Sequence, residues 1–272
     1  MSRIPPHPPT HVPPGAELEI PWDGRRVRIE HAWIEGPSGG PLIVFLHEGL
    51  GCVAMWRDFP ARLCAAAGAR GLLYSRPGYG RSSGPTERQR DVDYLHRQAY
   101  EVLPALLDAL GVAQKPWLFG HSDGGSIGLL FAARFPQRTA GLVVMAPHIF
   151  VEDATVQGVR SAVEAYEARA QRARLAGYHA DADAMFRAWA SIWLDPRFRG
   201  WNIEREIEAI RCPVLAIQGR DDEYATLDQV RGIARRVPRT RVVELPDCTH
   251  SPQRERPEAV IEAVAAFMED SA

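Results

Sequence analysis

Three kinds of residue in this chain could cooperate in nucleophilic chemistry: a serine between glycines, a histidine in a late loop, and a short run of acids. The pentapeptide Gly120-His121-Ser122-Asp123-Gly124 follows the apolar run Trp117-Leu118-Phe119 and precedes a helix-like stretch from Gly125 to Phe135. It therefore reads as strand, sharp turn and helix, with Ser122 at the apex. Such a turn needs small residues because its backbone is strained and the incoming strand nearly touches the outgoing helix. It lifts the hydroxyl clear of the sheet and aims the first N–H groups of the helix at a reacting carbonyl.

A serine hydroxyl is a poor nucleophile until a base accepts its proton, and the base needs a carboxylate to fix its tautomer and stabilise its cation. Of the nine histidines, His7 and His11 lie near the start, His31 on an edge strand and His96 at a helix start. His250 is better placed, in the loop Leu245-Pro246-Asp247-Cys248-Thr249-His250-Ser251-Pro252 between the last strand-like run and the terminal helix. The acid belongs in the turn Ile217-Gln218-Gly219-Arg220-Asp221-Asp222-Glu223. A carboxylate three residues after the turn glycine selects Asp222, with Asp221 as its rival.

The elements that must bring these residues together are legible as alternating patterns. Arg25 to Glu35 alternates Val27, Ile29, His31 and Trp33 with polar or small residues, as a half-buried antiparallel strand does. Pro41–His47, Gly71–Tyr74, Trp117–Phe119, Leu142–Met145, Val214–Ile217 and Val242–Leu245 are short continuous apolar runs, the pattern of parallel strands covered on both faces. Helical patterns fall between them: Tyr94 to Leu110 carries Leu103, Leu106, Leu107 and Leu110 on one face, and Pro257 to Met268 repeats Val260, Ala263, Val264 and Phe267. The alternation predicts an α/β fold with a doubly wound, mostly parallel sheet.

From Phe150 to Arg211 the alternation stops. Helical stretches at 153–176, 180–194 and 203–210 predict a helical lid over 150–210, between core segments 16–149 and 211–272. The insertion leaves the sheet after Ala146-Pro147-His148, at the carboxyl edge where ligands of such folds bind. Tyr166, Tyr178, Phe186, Trp189, Trp193 and Trp201 are its pocket candidates, weighed against simple core packing. Residues 1–15, with six prolines, read as an extended leader with no apolar signal or anchor.

Composition narrows the partners. At 272 residues the chain suits one α/β domain with a modest insertion. Lys+Arg 32 against Asp+Glu 34 gives a net charge of -2, with no electrostatic case for nucleic acid or an anionic membrane surface, so a small-molecule substrate is expected. Cys52, Cys64, Cys212 and Cys248 lack metal or redox spacing and predict reduced thiols in the cytoplasm. No metal or other cofactor is expected.

The order Ser122, Asp222, His250 resembles that of the α/β-hydrolase family. The resemblance spans nearly the whole chain. Leu46-His47-Glu48-Gly49-Leu50-Gly51 is similar to the family's His-Gly-x oxyanion loop, and Ser75-Arg76-Pro77-Gly78-Tyr79-Gly80-Arg81-Ser82 to its Arg-Gly-x-Gly-x-Ser turn. The resemblance implies an eight-stranded sheet, the N–H groups of Gly49 and Asp123 as an oxyanion hole, and acyl transfer from Ser122 through His250. His47 and His121 are then expected to brace their turns.

The chain departs from the family where Glu48 replaces a glycine. Its carboxylate is expected to turn away and pair with a neighbouring base such as Arg76 or Arg81, bracing the loop; the alternatives are contact with a cationic or hydroxylated substrate group, or positioning of water. His148 is expected to line the pocket or contact a leaving group, or else to pack against the lid, and Glu48, His148, Trp189 and Trp193 are the substrate-binding candidates. A carboxylic ester is the expected substrate. The alternatives are meta-cleavage carbon-carbon hydrolysis, in which His148 or Glu48 would serve a ketonised intermediate, and acyl transfer to an acceptor other than water. A non-catalytic ligand-binding protein would be marked by a missing triad member, and none is missing.

Overall fold

The computed structural model describes residues 15–84, 90–168 and 170–271. The expected leader therefore lies outside the described residues, apart from Gly15. Eight strands form one sheet in the order β1-β2-β4-β3-β5-β6-β7-β8. They are β1 (Ala16–Trp22), β2 (Arg25–Ile34), β3 (Leu42–Leu46), β4 (Arg70–Tyr74), β5 (Trp117–His121), β6 (Gly141–Met145), β7 (Val214–Gly219) and β8 (Thr240–Leu245). β1 pairs antiparallel with β2 and β2 antiparallel with β4, whereas the pairs from β4 through β3, β5, β6 and β7 to β8 are parallel.

The apolar runs explain the parallel core. Alternate side chains of a strand leave on opposite faces, so a strand covered on both sides must be apolar throughout. On one face Phe45, Leu73, Phe119, Val143, Met145 and Ile217 meet α1 (Phe59–Ala66) and α10 (Pro257–Asp270). On the other, Val44, Leu46, Leu118, Leu142 and Val144 meet α4 (Asp123–Arg134) and a helical run comprising α2 (Tyr94–Arg97) and α3 (Leu103–Ala109). Full burial of each such side chain stabilises the fold by roughly 1.5–3 kcal/mol. α8 (Asp228–Arg236) and the short α9 (Pro252–Glu255) complete the core's helices.

Three sequence expectations need correction. The sheet begins one strand earlier, at β1, whose alternation of Leu18, Ile20 and Trp22 with Glu17 and Glu19 carries the period of a strand. The run from Tyr94 is not one regular helix: Gln98–Val102 is a π turn. Pro104, just beyond it, has no N–H to donate to the Tyr100 carbonyl, so the regular ladder fails there. Between β6 and β7 the chain forms α5 (Asp153–Glu167), α6 (Ala170–Ala176) and α7 (Ala182–Trp193), but 203–210 holds only a 3₁₀ turn at Glu206–Ala209. The Ile203 N–H donates to the Ile149 carbonyl at 2.8 Å instead of to a helix, and Phe150 bridges Asn202, so the two ends of the insertion are zipped together.

Among the described residues no helix is long and apolar enough to cross a membrane. At the centre of the sheet Phe119 is fully buried, with its ring centroid 5.5 Å from those of Phe45 and Phe59 and 5.9 Å from that of Trp56. Phe119→Ala would remove the ring on which this cluster converges, directly beneath the serine turn. It should lower unfolding free energy by about 3–5 kcal/mol in urea titrations, and a loss below about 1 kcal/mol would contradict this account of the core.

Candidate active site

β5 ends at His121 and α4 starts at Asp123, leaving Ser122 alone to make the turn. Its φ of 52° and ψ of -119° lie where an L residue is strained, a conformation costing of order 1–3 kcal/mol. The two glycines make the turn sterically possible. A Cβ on Gly120 would stand 2.2 Å from the Gly124 carbonyl oxygen, and one on Gly124 would stand 2.0 Å from that of Leu46. The turn is held from beneath by the Ser122 N–H, which donates to the Met145 carbonyl of β6 at 2.9 Å.

His250 Nε2 lies 3.0 Å from Ser122 Oγ, and His250 Nδ1 lies 2.8 Å from Asp222 Oδ1 and 3.0 Å from Oδ2. The structure thus brings together the three residues singled out in the sequence. Asp221 is exposed and contributes its N–H to the Cys248 carbonyl at 3.0 Å, not its carboxylate to the histidine. Gly219 lets the two loops meet, since a Cβ there would stand 2.1 Å from the Cys248 carbonyl oxygen. The Tyr224 N–H and Gln218 Nε2 donate to the Asp222 carboxylate at 2.9 and 3.2 Å.

The electrostatics suit proton transfer. Burial disfavours the charged form of His250, but the Asp222 carboxylate, aided by Glu223 and Glu48, outweighs it and raises the imidazole above its usual value. Burial also pushes the Asp222 carboxyl up, while His250 and the Tyr224 N–H more than compensate and hold it below the usual range. His121 is different in kind. Burial takes it down to about 4, so it stays neutral and donates from Nε2 to the His250 carbonyl at 2.7 Å while Gln253 donates to its Nδ1 at 3.1 Å. It clamps the histidine loop to the serine turn.

A cavity of about 160 Å³ sits over these groups, lined by Ser122, Gly49, Asp123, Glu48, His148, Trp189 and Trp193, among others. Trp189 and Trp193 are the two insertion aromatics on this lining; Tyr166 instead stacks on Phe186, and Trp201 on Phe198. Gly49 is required beneath Trp189, because a Cβ would stand 2.2 Å from the indole nitrogen. Thr155, Arg174, Tyr224 and Arg254 also line the cavity and were not foreseen, because nothing in their local sequence marks them.

Buried Arg76 ties the site together from behind. Its guanidinium donates to the Glu48 carbonyl at 2.8 Å and to Asp123 Oδ2 at 3.3 Å, where Tyr94 also donates at 3.2 Å. The Asp123 carboxylate is thereby turned into the protein, leaving its main chain at the cavity. His47, held far below its usual value by burial and by Arg76, is neutral; its Nδ1 donates to the Glu48 carbonyl at 2.8 Å and its Nε2 accepts the Arg76 N–H at 3.0 Å.

Glu48 does pair with a neighbouring base, but this arrangement corrects which base and which way the side chain turns. Its carboxylate pairs with neither Arg76, which is committed to Asp123 and to main chain, nor Arg81, which pairs with Glu30 at 3.3 Å. It faces the cavity instead, with Oε1 3.4 Å from Arg254 Nη2 and Oε2 4.0 Å from His121 Nδ1. Gly51 makes the room, since a Cβ there would stand 2.1 Å from Glu48 Oε2. Replacing the buried cation, as in Arg76→Met, should strand the Asp123 carboxylate and cost about 3–5 kcal/mol of stability in urea unfolding. A variant as stable as the parent would refute the bracing role.

Comparison with known proteins agrees with this architecture. The sequence profile described as the alpha/beta hydrolase family matches residues 43–263. The chain is 30% identical over 256 residues to a dihydrolipoyllysine-residue acetyltransferase component of an acetoin cleaving system from Pseudomonas putida, covering 87% of this chain and 66% of that protein. It is 24% identical over 248 residues to a 2-hydroxy-6-oxo-6-phenylhexa-2,4-dienoate hydrolase from Burkholderia cepacia, covering 81% of this chain and 85% of the relative. Its fold superimposes on the crystal structure of the enol-lactonase from Burkholderia xenovorans LB400 with a TM-score of 0.73 and 22% identity, covering 93% of this chain and all of the other. With the profile matching well over half its length, the chain belongs to the α/β-hydrolase family of enzymes.

Proposed function

We propose that this protein is a serine hydrolase that cleaves a small carboxylic ester or related acyl bond through an acyl-enzyme intermediate. The observation that carries the reading is the continuous hydrogen-bonded line from Asp222 through His250 to Ser122 Oγ, with contacts of 2.8 and 3.0 Å, at the floor of the cavity. Ser122 attacks the carbonyl carbon while His250 Nε2 takes its proton. The main-chain N–H groups of Gly49 and Asp123 receive the developing oxyanion, a contribution of about 3 kcal/mol for each donor in comparable sites. His250 then protonates the leaving group, and water repeats the sequence to release the acid.

The helices over residues 150–210 serve in this reading as a lid on the core formed by 16–149 and 211–272, with Trp189 and Trp193 as its inner wall. Glu48, His148 and these two indoles contact the substrate. Gln229, fully buried, supports the lid's root by accepting the Ile149 N–H at 2.7 Å. The four buried free thiols fit a reducing compartment, and we assign the protein to the cytoplasm.

A second reading is carbon-carbon hydrolysis of the meta-cleavage type. It is favoured by the Burkholderia cepacia relative and by polar Glu48 and His148 at the cavity, where a ketonised intermediate would need proton transfer. Transfer of the acyl group to an acceptor other than water has the Pseudomonas putida relative in its favour, although this chain spans only 66% of that protein.

The test of the first reading is fluorophosphonate labelling with peptide mapping, together with hydrolysis of short p-nitrophenyl esters. Ser122 should be the modified residue, and Ser122→Ala should abolish both labelling and turnover. Labelling elsewhere, or ester cleavage equal to that of the alanine variant, would overturn it; decolourisation of a 2-hydroxy-6-oxodienoate without ester cleavage would favour the second reading.

The pH profile adds an independent check. His250 must be neutral to accept the serine proton, and its value is raised, so kcat/KM should fall as pH drops through a midpoint above 6.5. The negative charge of Glu48 contributes to that elevation, so Glu48→Gln should move the acid limb to lower pH. A flat profile between pH 5 and 8 would remove His250 as the base, and an unmoved limb would remove Glu48 from its field.

A further inference from the structure

The cavity over Ser122 contains polar groups that neither the triad nor the oxyanion hole uses. His148, Thr155 and Trp193 all line it, and their exposures are 2%, 1% and 3%. His148 Nδ1, Thr155 Oγ1 and Trp193 Nε1 are each buried with no hydrogen-bond partner among the described residues. Buried polar atoms are ordinarily paired, so three of them on residues that line one small cavity point to a ligand group that pairs them. His148 and Trp193 are neighbours, with ring centroids 5.0 Å apart, and the His148 ring lies 6.2 Å from that of His250.

The hydrogen-bonding sense of each atom restricts the group. Burial and the nearby His250 push His148 below its usual value, so its imidazole is neutral. Its Nε2 faces the Tyr224 carbonyl at 3.3 Å and donates to it, which leaves Nδ1 as a bare acceptor. The Trp193 indole is a donor only, and the Thr155 hydroxyl is both donor and acceptor. A carboxylate would offer lone pairs to the His148 lone pair, an ammonium would offer nothing to the indole N–H, and an alkyl group would leave all three atoms unpaired. A substrate hydroxyl meets both demands, donating to Nδ1 and accepting from the indole or threonine.

We infer that His148, Thr155 and Trp193 form a subsite for an uncharged hydroxyl on the substrate, so that the ester cleaved is one of a hydroxylated acid. The ionic residues Glu48, Arg174, Glu223 and Arg254 of the same cavity are more exposed than these three. The inference rests on the acyl-transfer reading for the chemistry but not for the binding.

The two are separated by measuring binding without turnover. Ser122→Ala protein is titrated, by ligand-detected NMR, with methyl butyrate, methyl 2-hydroxybutyrate, methyl 3-hydroxybutyrate and monomethyl succinate. One of the hydroxy esters should bind at least about tenfold more tightly than methyl butyrate, because a site built around a hydroxyl rejects the analogue lacking it. Adding Thr155→Val or Trp193→Phe, each checked for folding by thermal melting, should bring that ratio below about threefold. Equal binding of butyrate and both hydroxy esters, preference for the succinate, or a ratio that survives both substitutions overturns the subsite. If the hydroxy ester is preferred in binding yet not hydrolysed by protein with Ser122 intact, the subsite stands and the acyl-transfer reading falls.

Discussion

The buried Arg76 guanidinium is the constraint on which the arrangement of this site depends. A cation taken out of water is tolerated only when its charge and its donors are fully engaged, and here the partners are the Asp123 carboxylate and the Glu48 carbonyl. Those two residues belong to the segments that flank Ser122 from opposite sides, the start of α4 and the loop after β3. By satisfying itself, Arg76 fixes the spacing between the N–H groups of Gly49 and Asp123. It also holds the acid that stands directly after the serine, whose side chain is turned inward to the arginine and Tyr94.

Strain and close approach set the remaining geometry. Ser122 occupies a conformation that an isolated chain would avoid, and it is held there by the pairing of β5 with β6 on one side and by glycine contacts on the other. The same economy recurs at Gly219, where the loops bearing Asp222 and His250 touch main chain to main chain. His121 joins the two systems, since it sits at the end of β5 and holds the His250 carbonyl. Serine, histidine and acid are thus located by backbone contacts more than by their own side-chain bonds.

The cavity is polar on two levels. Glu48 and Arg254 form a partly exposed pair, while His148, Thr155 and Trp193 are buried lining residues. Turning Glu48 toward the cavity adds negative charge near His250, which favours its protonated form, and Arg254 pairs with that carboxylate. A glycine at this position would supply no such charge.

The sequence alone determined the fold class and the residues that meet at Ser122. Apolar runs must be covered on both faces, and a serine between glycines after such a run has only one economical turn. It also identified Asp222 and His250 from their places after strands, because loops at the carboxyl ends of parallel strands converge in space whatever their separation along the chain. β1 carries the alternation of a strand in its own residues, whereas the π turn before Pro104 is hidden by a helical pattern that continues across it. What only the tertiary structure decided was the direction of side chains whose partners lie far away in the chain. Glu48 turned to the cavity because Arg76 was already consumed by Asp123, and Thr155 joined the lining through the packing of α5. Those outcomes follow from competition among distant groups for the same buried charge and space, which local sequence does not encode.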